Sequence, residues 1–175
     1  MMKYTFVLVL IGALCFGLSA CSSSGTLKPL KYNEASDGDL SDEHLAPTVL
    51  GFAPGENSIS GSTESGDRDY FWFTVPEGAL LSKVILTHYE SVDEIAFAAI
   101  QQGKTITEDP ISADPANLLG WLHMGKVHLN QNILTLMGKE ATAVGFTPPL
   151  GPGNYAFWVQ QTGVSTTYSL SFTLE

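Results

Sequence analysis

Cysteine is nearly absent from this 175-residue chain: there are two, Cys15 and Cys21, both within the first 21 positions. Everything downstream is therefore without a disulfide, a thiol nucleophile or a cysteine-built zinc site. Basic residues are also few, 8 against 18 acidic ones, for a net charge of -10. Such a chain repels phosphate backbones and anionic headgroups, and no nucleic-acid partner is expected. Beyond residue 47 no window carries an amphipathic helical repeat, and the motifs of catalysis are missing as well. The histidines, His44, His88, His123 and His128, form no HExxH. The odd separation of His123 and His128 puts them on opposite faces of a straight strand, where they cannot share a metal. No serine lies in a G-x-S-x-G elbow, and Gly151-Pro152-Gly153 lacks the lysine and helix start of a phosphate loop. The adjacent carboxylates Asp93/Glu94 and Glu108/Asp109 would face opposite ways on a strand, which removes them as an acid/base couple. The expectation is a protein that is not an enzyme and requires no cofactor.

What is present begins at the N-terminus. Lys3 precedes an apolar run from Phe6 to Phe16, and Leu18-Ser19-Ala20-Cys21 follows. That order, a charge, an apolar run and then small residues, is the order of a secretory signal. Crossing the hydrocarbon takes roughly 20 apolar residues, and this run is shorter and broken by Gly12 and Gly17. Leu18 to Cys21 resembles the lipobox of bacterial lipoproteins. The resemblance implies cleavage after residue 20, lipid on Cys21 and stable anchoring, because each buried methylene contributes about 0.8 kcal/mol and the family carries three chains. Ser22, standing where the family's retention signal has aspartate, implies the outer membrane, so the expected location is the cell envelope, with the membrane bound through the N-terminal lipid. Residues 21–46, polar and without hydrophobic period, read as a flexible tether. Some 20 such residues would hold the domain about 25 Å from the lipid.

Residues 47–175 read as an all-β antiparallel sandwich, jelly-roll-like. The segments are short, β-branched and aromatic, and Gly, Pro, Asn, Asp and Ser punctuate them. In Asp69–Val75 the residues Phe71, Phe73 and Val75 share one face and Tyr70, Trp72 and Thr74 the other. In Tyr168–Leu174 the apolar face is Tyr168, Leu170, Phe172 and Leu174. Further strands are expected at 48–52, 58–61, 82–89, 94–101 and 155–161, each with one buried and one wet face.

Two segments carry a second resemblance: Gly66-Asp67-Arg68-Asp69-Tyr70-Phe71-Trp72-Phe73-Thr74-Val75-Pro76, and Gly151-Pro152-Gly153-Asn154-Tyr155. Together they resemble the bacterial pre-peptidase C-terminal (PPC-like) domain, over residues 47 to 175. A nearer likeness is to secreted bacterial proteins sharing Ser91–Phe97, Leu119-Gly120-Trp121 and Phe157–Gly163; it adds fold and location but no reaction. The pre-peptidase resemblance implies a β-sandwich accessory to other activities, with calcium or an insoluble polymer bound by some members. Here no catalytic domain is attached, and residues 90 to 150 exceed the family's usual middle.

Two candidate sites follow from the residues. Carboxylates at turns, Asp67 and Asp69 beside Gly66, and Asp93 with Glu94, are the oxygen donors calcium takes. The same side chains also cap turns without any metal. If Phe71 and Phe157 are core, Trp72 and Trp158 point outward and would form a flat platform for sugar rings, with Gln160 on Trp158's face to bond hydroxyls. A long loop from the 102–149 region can instead cover such aromatics. The functional expectation is a non-catalytic binding module for carbohydrate or another polymer; the alternative is a structural or protein-recruiting envelope lipoprotein.

Overall fold

Alternation along the strands decides the architecture. In Arg68–Val75 the side chains of Phe71, Phe73 and Val75 are buried on one face, as are Tyr168, Leu170, Phe172 and Leu174 of Thr166–Leu174. Two such faces can leave water only by packing on each other, which gives a sandwich. The computed structural model describes residues 27–175. The signal segment 1–20 and Cys21 lie outside the described residues.

The described residues form nine strands: β1 (Lys31–Asn33), β2 (Thr48–Val49), β3 (Gly55–Thr63), β4 (Arg68–Val75), β5 (Leu81–Ser91), β6 (Ala96–Gln102), β7 (Gly120–Met124), β8 (Gly153–Gln160) and β9 (Thr166–Leu174). One sheet has the order β1-β3-β9-β5, the other β2-β4-β8-β6-β7. The interior ladders are antiparallel, while β1 on β3 and β2 on β4 are short parallel additions at the edges. Two short α-helices, α1 (Glu34–Asp37) and α2 (Ile133–Met137), and two single 3-10 turns, Pro115–Asn117 and Lys126–His128, complete the elements among the described residues. Among the described residues no helix is long and apolar enough to cross a membrane.

Phe172 marks the centre of the core. Its ring lies 5.1 to 5.9 Å from those of Phe52, Phe71, Phe73 and Phe157, three of the four contacts edge-on or nearly so. It thereby joins β9 of one sheet to β4 and β8 of the other. A second, smaller apolar cluster covers the outer face of the five-stranded sheet, where Tyr70, Ala99, Ala156 and Trp158 are roofed by Ile106 and Leu118.

The expected tether boundary at residue 46 is corrected. From Leu30 onward the chain is folded onto the sandwich, and residues 27–46 form an arm that leaves one sheet at β1 and reaches the other at β2. Three contacts fix it. The Leu30 N–H donates to Asn57 Oδ1 at 2.9 Å, Leu40 is 2% exposed, and the Tyr70 N–H donates to the Ser41 carbonyl at 2.9 Å. The polar sequence hid this because one leucine and a few backbone bonds do the docking. A chain starting at residue 47 should be at least about 2 kcal/mol less stable than one starting at 27, from Leu40 burial alone. Urea unfolding of the two measures the difference, and coincident curves would show that the arm contributes nothing.

Candidate functional site

Pairing registers place the outward side chains in rows across the five-stranded sheet. Arg68 pairs with Gln160, Gln160 with Phe97, and Phe97 with His123, which makes one row over four strands. The next row is Tyr70, Trp158, Ala99 and Trp121. Beside the first row lies a cleft of about 350 Å³, walled by Phe97, His123, Trp158 and Gln160 of the sheet, Asp93 and Ile95 of the β5–β6 loop, and Pro110 to Pro115 of the loop after β6.

The expected flat platform of Trp72 and Trp158 is not formed. Trp158 is 1% exposed. Its ring stacks on Tyr70 at 5.4 Å and meets Phe97 edge-on at 4.7 Å. Trp72 is half-buried under the Lys104 ammonium, 4.5 Å from the ring centroid. The physical reason is the long loop after β6, whose Ile106 and Leu118 supply the apolar partners that an outward tryptophan otherwise lacks. Trp158 still borders the cleft, and its indole N–H has no acceptor in the protein, nor has the Tyr70 hydroxyl a partner. Gln160 is partly exposed beside it, its Oε1 accepting from Arg68 Nε at 2.9 Å.

Trp121 and His123 were not among the sugar-platform residues. Both sit on β7, with their rings 5.2 Å apart and the Trp121 Nε1–H donating to Thr142 at 3.1 Å. The signal that could have found them is the alternation within Gly120–Met124, which puts both on the face of Phe97.

The two expected calcium pairs separate. Asp93 and Glu94 lie in the β5–β6 loop: Asp93 Oδ2 accepts from Gln161 Nε2 at 3.0 Å, and Glu94 is exposed. Asp69, by contrast, meets carboxylates of the arm, and Asp67 lies outside that group. One oxygen each from Glu34, Asp39 and Asp69 lies within 4.8 Å of the others, about twice a calcium–oxygen bond of roughly 2.4 Å. Asp69 is fully buried; the Tyr168 hydroxyl donates to its Oδ2 at 2.7 Å, and its Oδ1 has no partner. Asp67 Oδ1 is likewise buried without one. Glu34 is held by the N–H groups of Ser62 (2.7 Å) and Leu40 (3.1 Å). Gly61 makes that approach feasible, since a β-carbon there would stand 2.9 Å from both Glu34 Oε2 and the Tyr168 hydroxyl.

Electrostatics follow from this crowding. Burial, then the Glu34 charge, pushes the Asp69 carboxyl up to about 9, and burial with the charges of Asp39 and Asp42 pushes Asp67 up to about 6. Burial also raises Glu34, and it raises the Tyr168 hydroxyl with Asp69 adding to it. Without a cation these acids stay together by holding protons. A divalent cation would take the place of those protons, with the orphaned Asp69 oxygen and the carboxylates of Glu34 and Asp39 as its donors.

No protein-family model matches this chain, and no curated protein matches it.

Proposed function

We propose that the protein is a non-catalytic binding module, exported and anchored in the cell envelope through lipid on Cys21, that takes a carbohydrate polymer in the cleft beside Phe97 and Trp158. One observation carries this reading: the cleft joins aromatic walls to the polar side chains Gln160 and His123 across three adjacent strands, β8, β6 and β7. Sugar sites combine apolar ring faces with a few placed polar groups in the same way. The pre-peptidase resemblance supports a binding role beside other proteins' activities, and the Leu18–Cys21 lipobox supports outer-membrane anchoring. Calcium fits the arm as a structural ion, with Glu34, Asp39 and Asp69 as its donors, since it would satisfy the buried Asp69 Oδ1, which has no hydrogen-bond partner.

Titrating the full chain with soluble polysaccharides while following tryptophan emission tests the reading. A saturable change is expected, weakened at least about tenfold by Gln160→Ala, a loss of the size one removed hydrogen bond to a ligand brings. No response to any polysaccharide would leave the second reading, a structural or protein-recruiting envelope lipoprotein. That reading is favoured by the loop that covers Trp158.

A further inference from the structure

Arg68 is the only arginine in a chain with 18 acidic residues. Its side chain is nonetheless held by an amide, Nε to Gln160 Oε1 at 2.9 Å, and among the described residues it has no ion pair. A guanidinium presents five donors in a fixed fork that matches a carboxylate, and leaving it without one in so acidic a protein is unusual.

Four acids around the cleft are engaged elsewhere. Asp93 accepts from Gln161 Nε2 and, at 3.4 Å, from the Ile95 N–H. Asp109 takes the N–H groups of Ile111 (2.9 Å) and Ser112 (3.2 Å). Glu108 takes that of Asp114, and Asp114 that of Ala116. Each of these carboxylates fixes its own loop.

Arg68 and His123 stand at the two ends of the row that crosses β4, β8, β6 and β7. At about 4.8 Å per strand the row is about 14 Å long, the reach of a short oligosaccharide. Between its ends lie an amide and the Phe97 ring. The row thus offers nitrogen donors at both ends and an apolar face in the middle, while the Asp42 carboxylate beside it accepts the Arg68 backbone N–H at 2.7 Å.

We propose that this row selects a carboxylated glycan, a chain of uronic-acid type, with Arg68 clamping one carboxylate and His123 donating to a group further along the chain. The proposal rests on the cleft being a carbohydrate site and specifies the charge of its ligand. An extended chain laid across the strands would stack one sugar face on Phe97 while Gln160, already oriented by Arg68, donates its free amide hydrogens. Screening by salt would weaken such a clamp, because the row lies at the surface.

The deciding experiment titrates the full chain with a galacturonate hexamer, with the same hexamer methyl-esterified, and with a short poly-glutamate peptide. The acid hexamer should bind at least tenfold more tightly than the ester. Arg68→Gln should remove that advantage, bringing the acid hexamer's affinity down to that of the ester measured on the same variant, and thermal unfolding of the variant should match the parent's. His123→Gln, a change at an exposed position of an edge strand, should weaken the acid hexamer threefold or more. Equal binding of acid and ester would overturn the proposal and leave a neutral-carbohydrate site. Poly-glutamate binding as well as the hexamer would overturn it in favour of an acidic protein partner. Silence toward every probe would overturn it together with the carbohydrate reading.

Discussion

Freed of divalent cations, the protein should lose stability as pH rises from about 5 to 8, and Asp69→Asn should flatten that slope. Asp69 moves from 3.8 up to about 9 on folding, so between those values the folded chain holds a proton that the unfolded chain has released. Its contribution is complete below the unfolded value and falls as pH rises toward the folded one. One proton of difference corresponds to about 1.4 kcal/mol per pH unit. Asparagine keeps an acceptor for the Tyr168 hydroxyl and has no charge to bury, so at pH 8 without calcium the variant should unfold at a higher temperature than the parent. Calcium should reverse the order. Because it binds the deprotonated carboxylates, its stabilisation of the parent should grow with pH, and Asp69→Asn should lose it. Thermal unfolding at several pH values, with EDTA or with calcium, measures all four conditions. A flat apo profile for the parent would show that Asp69 carries no extra proton, and an unchanged midpoint with calcium at pH 8 would remove the metal from the arm.

Phe172→Ala should be the most damaging single change in the core. The ring is fully buried and touches aromatic rings of β4 and β8 in the opposite sheet and of the segment after β2. Truncating a buried phenylalanine to alanine costs about 3–5 kcal/mol, the transfer of the lost atoms plus the cavity they leave. For a chain of this size that amounts to a fall of about 10 °C in midpoint. Thermal and urea unfolding check it, with Phe172→Leu as the milder control. A loss under about 1 kcal/mol would mean that the neighbouring phenylalanines collapse into the space.

The contrast between these two sites explains what the sequence reveals. Phe172 belongs to a period-two pattern that states its own burial: in both β4 and β9 the apolar face is spelled out residue by residue. The acidic cluster has no such local signature. Glu34 and Asp69 are far apart in sequence, and only the crossing of the arm between the sheets brings them together. Asp67 and Asp69 could be read as oxygen donors at a turn, but their partners could not. Strand β1 was hidden because Lys31-Tyr32-Asn33 contributes a single half-buried side chain to an edge ladder. Strand β7 was hidden because Gly120–Met124 follows an apolar stretch that reads equally as core. The outward direction of Trp72 and Trp158 was legible. Their cover was not, since it depends on where a long loop folds back, and that is decided by tertiary packing.

The direction in which β1 joins the sandwich has a mechanical consequence. The chain enters at the end where Pro29 rests against Gly55 and runs alongside β3 toward the other end, in parallel register from Lys31 opposite Ser58 to Asn33 opposite Ser60. A pull applied at Leu27 along the axis of β1 would load those ladder bonds together in shear, where a hairpin pulled at its open end would unzip one bond at a time. Behind them the arm is buckled by Glu34 and Leu40, so such a pull would meet a short, stiff catch before any force reached the aromatic core.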